Sequence, residues 1–244
     1  MSVTLGHNQY GKAETRVVRV FRDSDPHEIV DYNVSVALSG DFADIQLTGE
    51  NANCLTTDAT KNTVNAFAKE HGEAARQPES FGLALARHFV DDVEPVGRVR
   101  IKIETYPWNR LSHNGSPHPR AFARDGGYVR TATVTCDGTE FWVVSGVKDY
   151  VVLKTTDSEF FGYLQERYTT LQPTHDRVMA TSVTSQWWHT QTDVDWGKSY
   201  DSALGTMSDV FHADDRPDGF IEGTVHNEDA PSPGLAFDPG QGWS

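Results

Sequence analysis

Cysteine is scarce: the 244 residues hold two, Cys54 and Cys136. Two thiols build no disulfide framework, and no CxxC or HxH pair supplies a metal-type spacing, so both read as reduced thiols of an intracellular protein, with a single Cys54–Cys136 bridge left open. Ten histidines are present, and His113 and His118 sit close together in HNGSPH, but that stretch reads as a Gly- and Pro-bearing loop, where histidines are usually unliganded. Lysine is also sparse, at seven, and 35 acidic against 21 basic residues leave a formal charge of −14. Such a surface repels phosphates and argues against non-specific nucleic-acid binding. It fits a soluble protein, including one hydrated in high salt. No apolar run approaches the roughly 20 residues that span a bilayer. MSVTLGHNQYGK has neither a basic start nor an apolar run, and GQGWS is not a peroxisomal tripeptide, so the expected location is the cytoplasm.

The most informative stretch is Leu55 to His71, LTTDATKNTVNAFAKEH. Thr57 and Asp58 have the side chains of a helix cap, and Thr60, Val64, Phe67 and Ala68 recur at helical spacing. The unpaired N–H groups and positive dipole end of such a terminus suit an anionic or carbonyl-rich ligand, although plain capping explains the same residues. Around it, Arg16–Phe21 and His27–Leu38 alternate about a DSDP turn and predict a hairpin. A second helix is predicted from Pro78 to Val90, with Phe81, Leu85, His88 and Phe89 on one face. Strands follow at Gly97–Tyr106 and Tyr128–Thr135. TATVTCDGTEFWVVSGV predicts a hairpin about Asp137-Gly138 as a type I′ turn. YVVLKT reads as a separate short strand, Arg177–His189 is β-rich, and Trp196, Tyr200, Leu204 and Met207 share a helical face. DRPDGFIEGTV reads as a last strand, and the Pro- and Gly-rich tail from Asp229 as an interface arm or disordered chain.

Three separated motifs, QYGK, DFADIQLTGENANCLTTDATKNTV and SEFFGYLQERYTTLQPTHDRV, together with DRPDGFIEGTV, resemble the urate oxidase family. The resemblance implies an α+β fold: a tandem T-fold of two β-β-α-α-β-β units, with one antiparallel sheet and helices on one face. The units are expected at 1–127 and 128–228, the second incomplete, with a C-terminal tail at 229–244. It implies cofactor-free oxidation of urate by O₂ to 5-hydroxyisourate and hydrogen peroxide. It further implies a homo-oligomer, expected as a tetramer, whose sites lie at subunit interfaces.

The residues can be weighed against that chemistry. Urate is a planar, electron-rich anion, so its oxidation needs a stacking surface, in-plane donors, a proton acceptor and a dry pocket for O₂. By resemblance Phe160 stacks on the purine, though it also suits an ordinary core. Arg177 matches the residue that grips a carbonyl and a ring nitrogen bidentately; its plainer use is an ion pair with Asp176 or Glu166. Lys12 matches the catalytic base, a role that requires a lowered pKa. Thr57 is its partner for relaying a proton and facing oxygen. Asp58 is expected to offer its backbone N–H, because a second carboxylate beside an anion is repelled. Lys12, Thr57 and Asp58 are expected to face Phe160 and Arg177 of another subunit.

One departure stands out. The family's glutamine, asparagine and relay histidine lie in a segment that this chain lacks between Met207 and Asp214. The runner-up expectation is therefore a catalytically impaired purine-binding protein of the same fold, and the enzymatic rival is a metal-dependent pterin-forming relative.

Overall fold

The computed structural model describes residues 3–212. The predicted last strand and the tail lie outside the described residues. Among the described residues six strands form one antiparallel sheet in the order β1-β2-β3-β6-β7-β8, and two more form a separate hairpin. β1 (Tyr10–Phe21) and β2 (Glu28–Gly40) pair as predicted, with Val17 opposite Tyr32. The alternation puts Tyr32, Val34, Val36 and Leu38 of β2 on the buried side.

A short helix, α1 (Ala43–Leu47), precedes α2 (Thr57–Glu70). α3 (Pro78–Asp91) starts on Pro78 and buries Phe81, Leu85 and Phe89 against the sheet. Gly82 of α3 is dictated by that packing, since a Cβ there falls 2.7 Å from a Val134 methyl. β3 (Val96–Thr105) then runs between β2 and β6 (Val129–Cys136), contributing Val99, Ile101 and Ile103 to the core.

The structure corrects four local expectations. Residues of the HNGSPH stretch form a hairpin of β4 (Trp108–His113) and β5 (Ser116–Arg124) about Asn114-Gly115, with φ of 51° and 78°. Asn-Gly is the type I′ signal, and Pro117 and Pro119 obscured it. Asp137-Gly138 is part of a four-residue loop, because Cys136 pairs with Phe141 and the Asp137 carboxylate accepts from the N–H groups of Thr139 and Glu140. β7 (Phe141–Lys154) continues through the expected separate strand, with a register shift between Val147 and Tyr150. The fourth correction concerns the cap of α2 and belongs to the site.

β8 (Met179–His189) forms the far edge, and α4 (Trp196–His212) packs back on β7 with Trp196 and Tyr200 buried. The sequence of hairpin then helix in β7, β8 and α4 repeats that of β1, β2 and α2. α4 runs unbroken through Met207 to His212; the rest of the stretch to Asp214 lies outside the described residues. No helix among the described residues is long and apolar enough to cross a membrane.

Candidate active site

Lys12 is exposed on β1, opposite Val36, just before a bulge in which Glu14 takes a φ of 56°. The residue before it must be glycine: a Cβ on Gly11 would fall 2.0 Å from the Val36 carbonyl oxygen. Tyr10 fixes the neighbouring loop. Its ring packs edge-on to Phe42 at 4.8 Å, and burial, then the nearby Cys54 thiol, push its hydroxyl pKa up to about 12. Cys54 and Leu55 lead directly into α2, so the start of β1 and the start of α2 are held together.

The cap of α2 is Thr56, not the predicted Thr57 or Asp58: the Thr56 hydroxyl accepts from the Ala59 N–H at 3.1 Å. The physical reason is backbone conformation, extended at Thr56 and helical from Thr57 onward. This leaves the Thr57 hydroxyl outside the cap, and the N–H groups of Thr57 and Asp58 are first-turn donors with no acceptor within the helix. The Asp58 carboxylate is engaged along its own helix, by Lys61 at 2.7 Å and Asn62 at 2.9 Å. Its pKa is held below the usual carboxylate range by the Lys61 hydrogen bond and charge, with smaller contributions from Asn62 and from the charge of Lys12. Lys12 thus acts electrostatically on the first turn of α2.

Phe160 and Arg177 are also brought together, in the connection from β7 to β8. Phe160 and Thr174 exchange two backbone hydrogen bonds of 2.9 Å, which fold the connection back on itself. The Arg177 guanidinium carbon then sits 5.1 Å from the centre of the Phe160 ring, and its Nε donates to the buried Ser158 hydroxyl at 3.3 Å. Tyr163 stacks on Phe160 at 4.7 Å with 13° between the planes. Of the two carboxylates considered for Arg177, Asp176 accepts from the Asp157 N–H and Glu166 from the Tyr168 N–H. Ser158 escaped sequence reasoning, since a serine in a polar loop carries no periodic signal.

Among the described residues β1 and β8 are the outermost strands of the six-stranded sheet, five strand spacings apart, roughly 24 Å. A cation with a helix N-terminus stands on the β1 side, and an aromatic face with a guanidinium on the β8 side.

A second polar cluster, absent from the sequence reading, lies under α4. Glu79 is fully buried and its carboxylate meets Arg130 at 2.7 Å and the Ser145 hydroxyl at 2.6 Å. Ser145 has one proton and gives it to Glu79, so His189 Nε2, at 2.9 Å, donates to the Ser145 oxygen. Burial holds the His189 imidazole below its ordinary 6.5. The unfolded chain then binds this proton more readily, so stability is expected to fall as pH drops through 6.5 toward the folded value. Urea melts at stepped pH check this, and His189→Gln should flatten the slope in that window; an unchanged slope rejects the assignment.

The metal-site reading gains no geometry: His118 accepts from the Arg120 N–H, and among the described residues no three His, Cys, Asp or Glu side chains stand together as a ligand set.

A large antiparallel sheet with helices on one face defines a T-fold protein. The family described as Uricase matches residues 8–135 and 143–217, and this chain belongs to it. It is 41% identical over 209 residues to the uricase of Arthrobacter globiformis, an alignment covering 86% of this chain and 67% of that one. It is 35% identical over 212 residues to the uricase of Dictyostelium discoideum, covering 85% and 73%. The crystal structure of Arthrobacter globiformis uricase superposes with a TM-score of 0.79 at 40% identity, covering 86% of this chain and 71% of that one.

Proposed function

We propose that this protein is a urate oxidase whose site is completed by a second copy, the β1 edge of one subunit facing the β8 edge of the next. The observation that carries the reading is the pairing of family motifs with geometry: on one side Lys12, whose charge is felt by Asp58 in the turn of α2 that Thr57 opens, and on the other Arg177 over Phe160. In this reading two tandem units meet near residues 127–128, and the assembly is a tetramer.

Phe160 supplies the surface against which the purine stacks, and Arg177 the planar fork for a carbonyl and a ring nitrogen. The backbone N–H groups of Thr57 and Asp58 point at the opposite carbonyl. Their freedom from capping, and the diversion of the Asp58 carboxylate to Lys61 and Asn62, suit an anionic ligand. Lys12 takes a proton through the Thr57 hydroxyl, leaving an electron-rich dianion. Two electrons then pass to O₂, which collects two protons as hydrogen peroxide, and water adds to the purine to give 5-hydroxyisourate.

The test is loss of urate absorbance with peroxide detection on purified protein, with and without a chelator. Turnover that is insensitive to chelation supports the cofactor-free reading, and a requirement for added metal rejects it. Arg177→Ala is expected to weaken urate binding by roughly 2–5 kcal/mol, the cost of truncating a buried charge-paired contact. Unchanged affinity by titration removes Arg177 from the site.

A further inference from the structure

Residues 156–177, between β7 and β8, fold into an antiparallel clasp with ties along its length. The Asp176 carboxylate accepts from the Thr156 hydroxyl at 3.1 Å and from the Asp157 N–H at 2.9 Å, and Phe160 and Thr174 exchange their two backbone bonds. Further out, the Tyr163 hydroxyl donates to the Leu171 carbonyl at 2.6 Å. Tyr163 follows Phe160 by as many residues as Leu171 precedes Thr174, so this last tie keeps the register of the backbone pair.

Successive residues of an extended chain point to opposite sides. Phe161 turns to His175, with ring centres 4.5 Å apart, and Phe160 turns to Tyr163. Gly162 makes the second contact possible, because its φ of 78° lies in the left-handed region and reverses the chain, bringing residue 163 back onto residue 160. Both rings of that stack are half-buried, while Phe161, Leu164, Tyr168 and Leu171 around them are exposed. The two planes are 13° apart, close to parallel, so the Tyr163 ring lies against one face of Phe160. A planar ligand is left the other.

A phenylalanine in an exposed connection is free to turn about its side-chain bonds, and freedom that a ligand must remove weakens its binding. Here the stack sets the plane of Phe160 in advance, and the tie to Leu171 holds Tyr163 itself. The same clasp holds the Arg177 guanidinium through Ser158. We propose that Tyr163 is a positioning residue for the substrate: it covers one face of Phe160, fixes the plane of that ring, and leaves the opposite face for the purine. This rests on the urate oxidase reading and adds a second residue to its stacking surface.

Urate titration under nitrogen is the test, with steady-state kinetics beside it, on wild-type protein, Tyr163→Leu and Tyr163→Phe. The leucine change removes both stack and tie; the phenylalanine change keeps the stack and loses the tie alone. Tyr163→Leu is expected to raise the urate Kd roughly 2–10-fold, the cost of ordering one ring at binding. KM should rise in step and kcat fall less, because stacking holds the purine before and during the reaction alike. Tyr163→Phe should recover most of the affinity. Tighter urate binding by Tyr163→Leu would mean that Tyr163 occupies the purine's own face, and overturns the proposal. An unchanged Kd, or an equal loss in both variants, overturns it as well. Wild-type protein that binds urate without turnover, and binds it more weakly as Tyr163→Leu, overturns the oxidase reading and leaves Tyr163 its role. Wild-type protein that binds no urate overturns both.

Discussion

Lys12→Met is expected to lower urate turnover by roughly 10²–10⁴-fold, the range of a positioned acid–base group, while urate affinity changes little. The fold should survive the change. The Lys12 side chain is exposed, and its place in β1 is held by the backbone ladder to Val36 and by the close approach that Gly11 permits. What the substitution removes is a cation whose charge is felt in the first turn of α2 from outside that helix, and the proton acceptor that works with the Thr57 hydroxyl in the proposed mechanism. Single-turnover kinetics beside an anaerobic urate titration separate the two quantities. Equal losses in turnover and affinity would make Lys12 a structural or electrostatic support of the site instead of its base.

Arg130→Met should destabilise the protein by about 3–5 kcal/mol, because it strands the buried Glu79 carboxylate without its cation. Arg130 lies 2.7 Å from Glu79, donates to the Trp196 carbonyl at 3.4 Å, and sits 4.3 Å from the Tyr200 ring, so it joins α3, β6 and α4. The companion Glu79→Leu/Arg130→Met removes both charges together and should regain a large part of the loss, since a buried pair replaced by apolar groups costs far less than one broken in half. Urea midpoints at constant slope measure both. A single-variant loss under about 1 kcal/mol would place the pair in the range of exposed salt bridges and refute the buried-network description.

Much of the first half was legible from periodicity. The β1–β2 hairpin, α2, α3 and β3 carry patterns of two or about three and a half residues with clear turn or cap chemistry, and such patterns are local. The candidate site residues were legible for another reason. Lys12, Thr57, Asp58, Phe160 and Arg177 sit in motifs whose order and wording resemble one family, and no periodicity would have singled them out. The cap of α2 was misjudged by one or two residues because TTD offers three competent caps in a row, and only backbone conformation selects Thr56.

The sequence by itself determined the first hairpin, the two long helices α2 and α3 and strand β3, the acidic composition, and the residues on which the family resemblance rests, because each is a property of neighbours along the chain. Tertiary structure alone decided that β1 and β8 are the outermost strands of the sheet among the described residues, which is why the proposed site draws its two groups from different copies. It alone paired Glu79 with Arg130, 51 residues apart, although a glutamate in the first turn of a helix looks like a solvated one. Strand order and register are contacts between distant segments, and local pattern carries no record of which distant segment will be the neighbour.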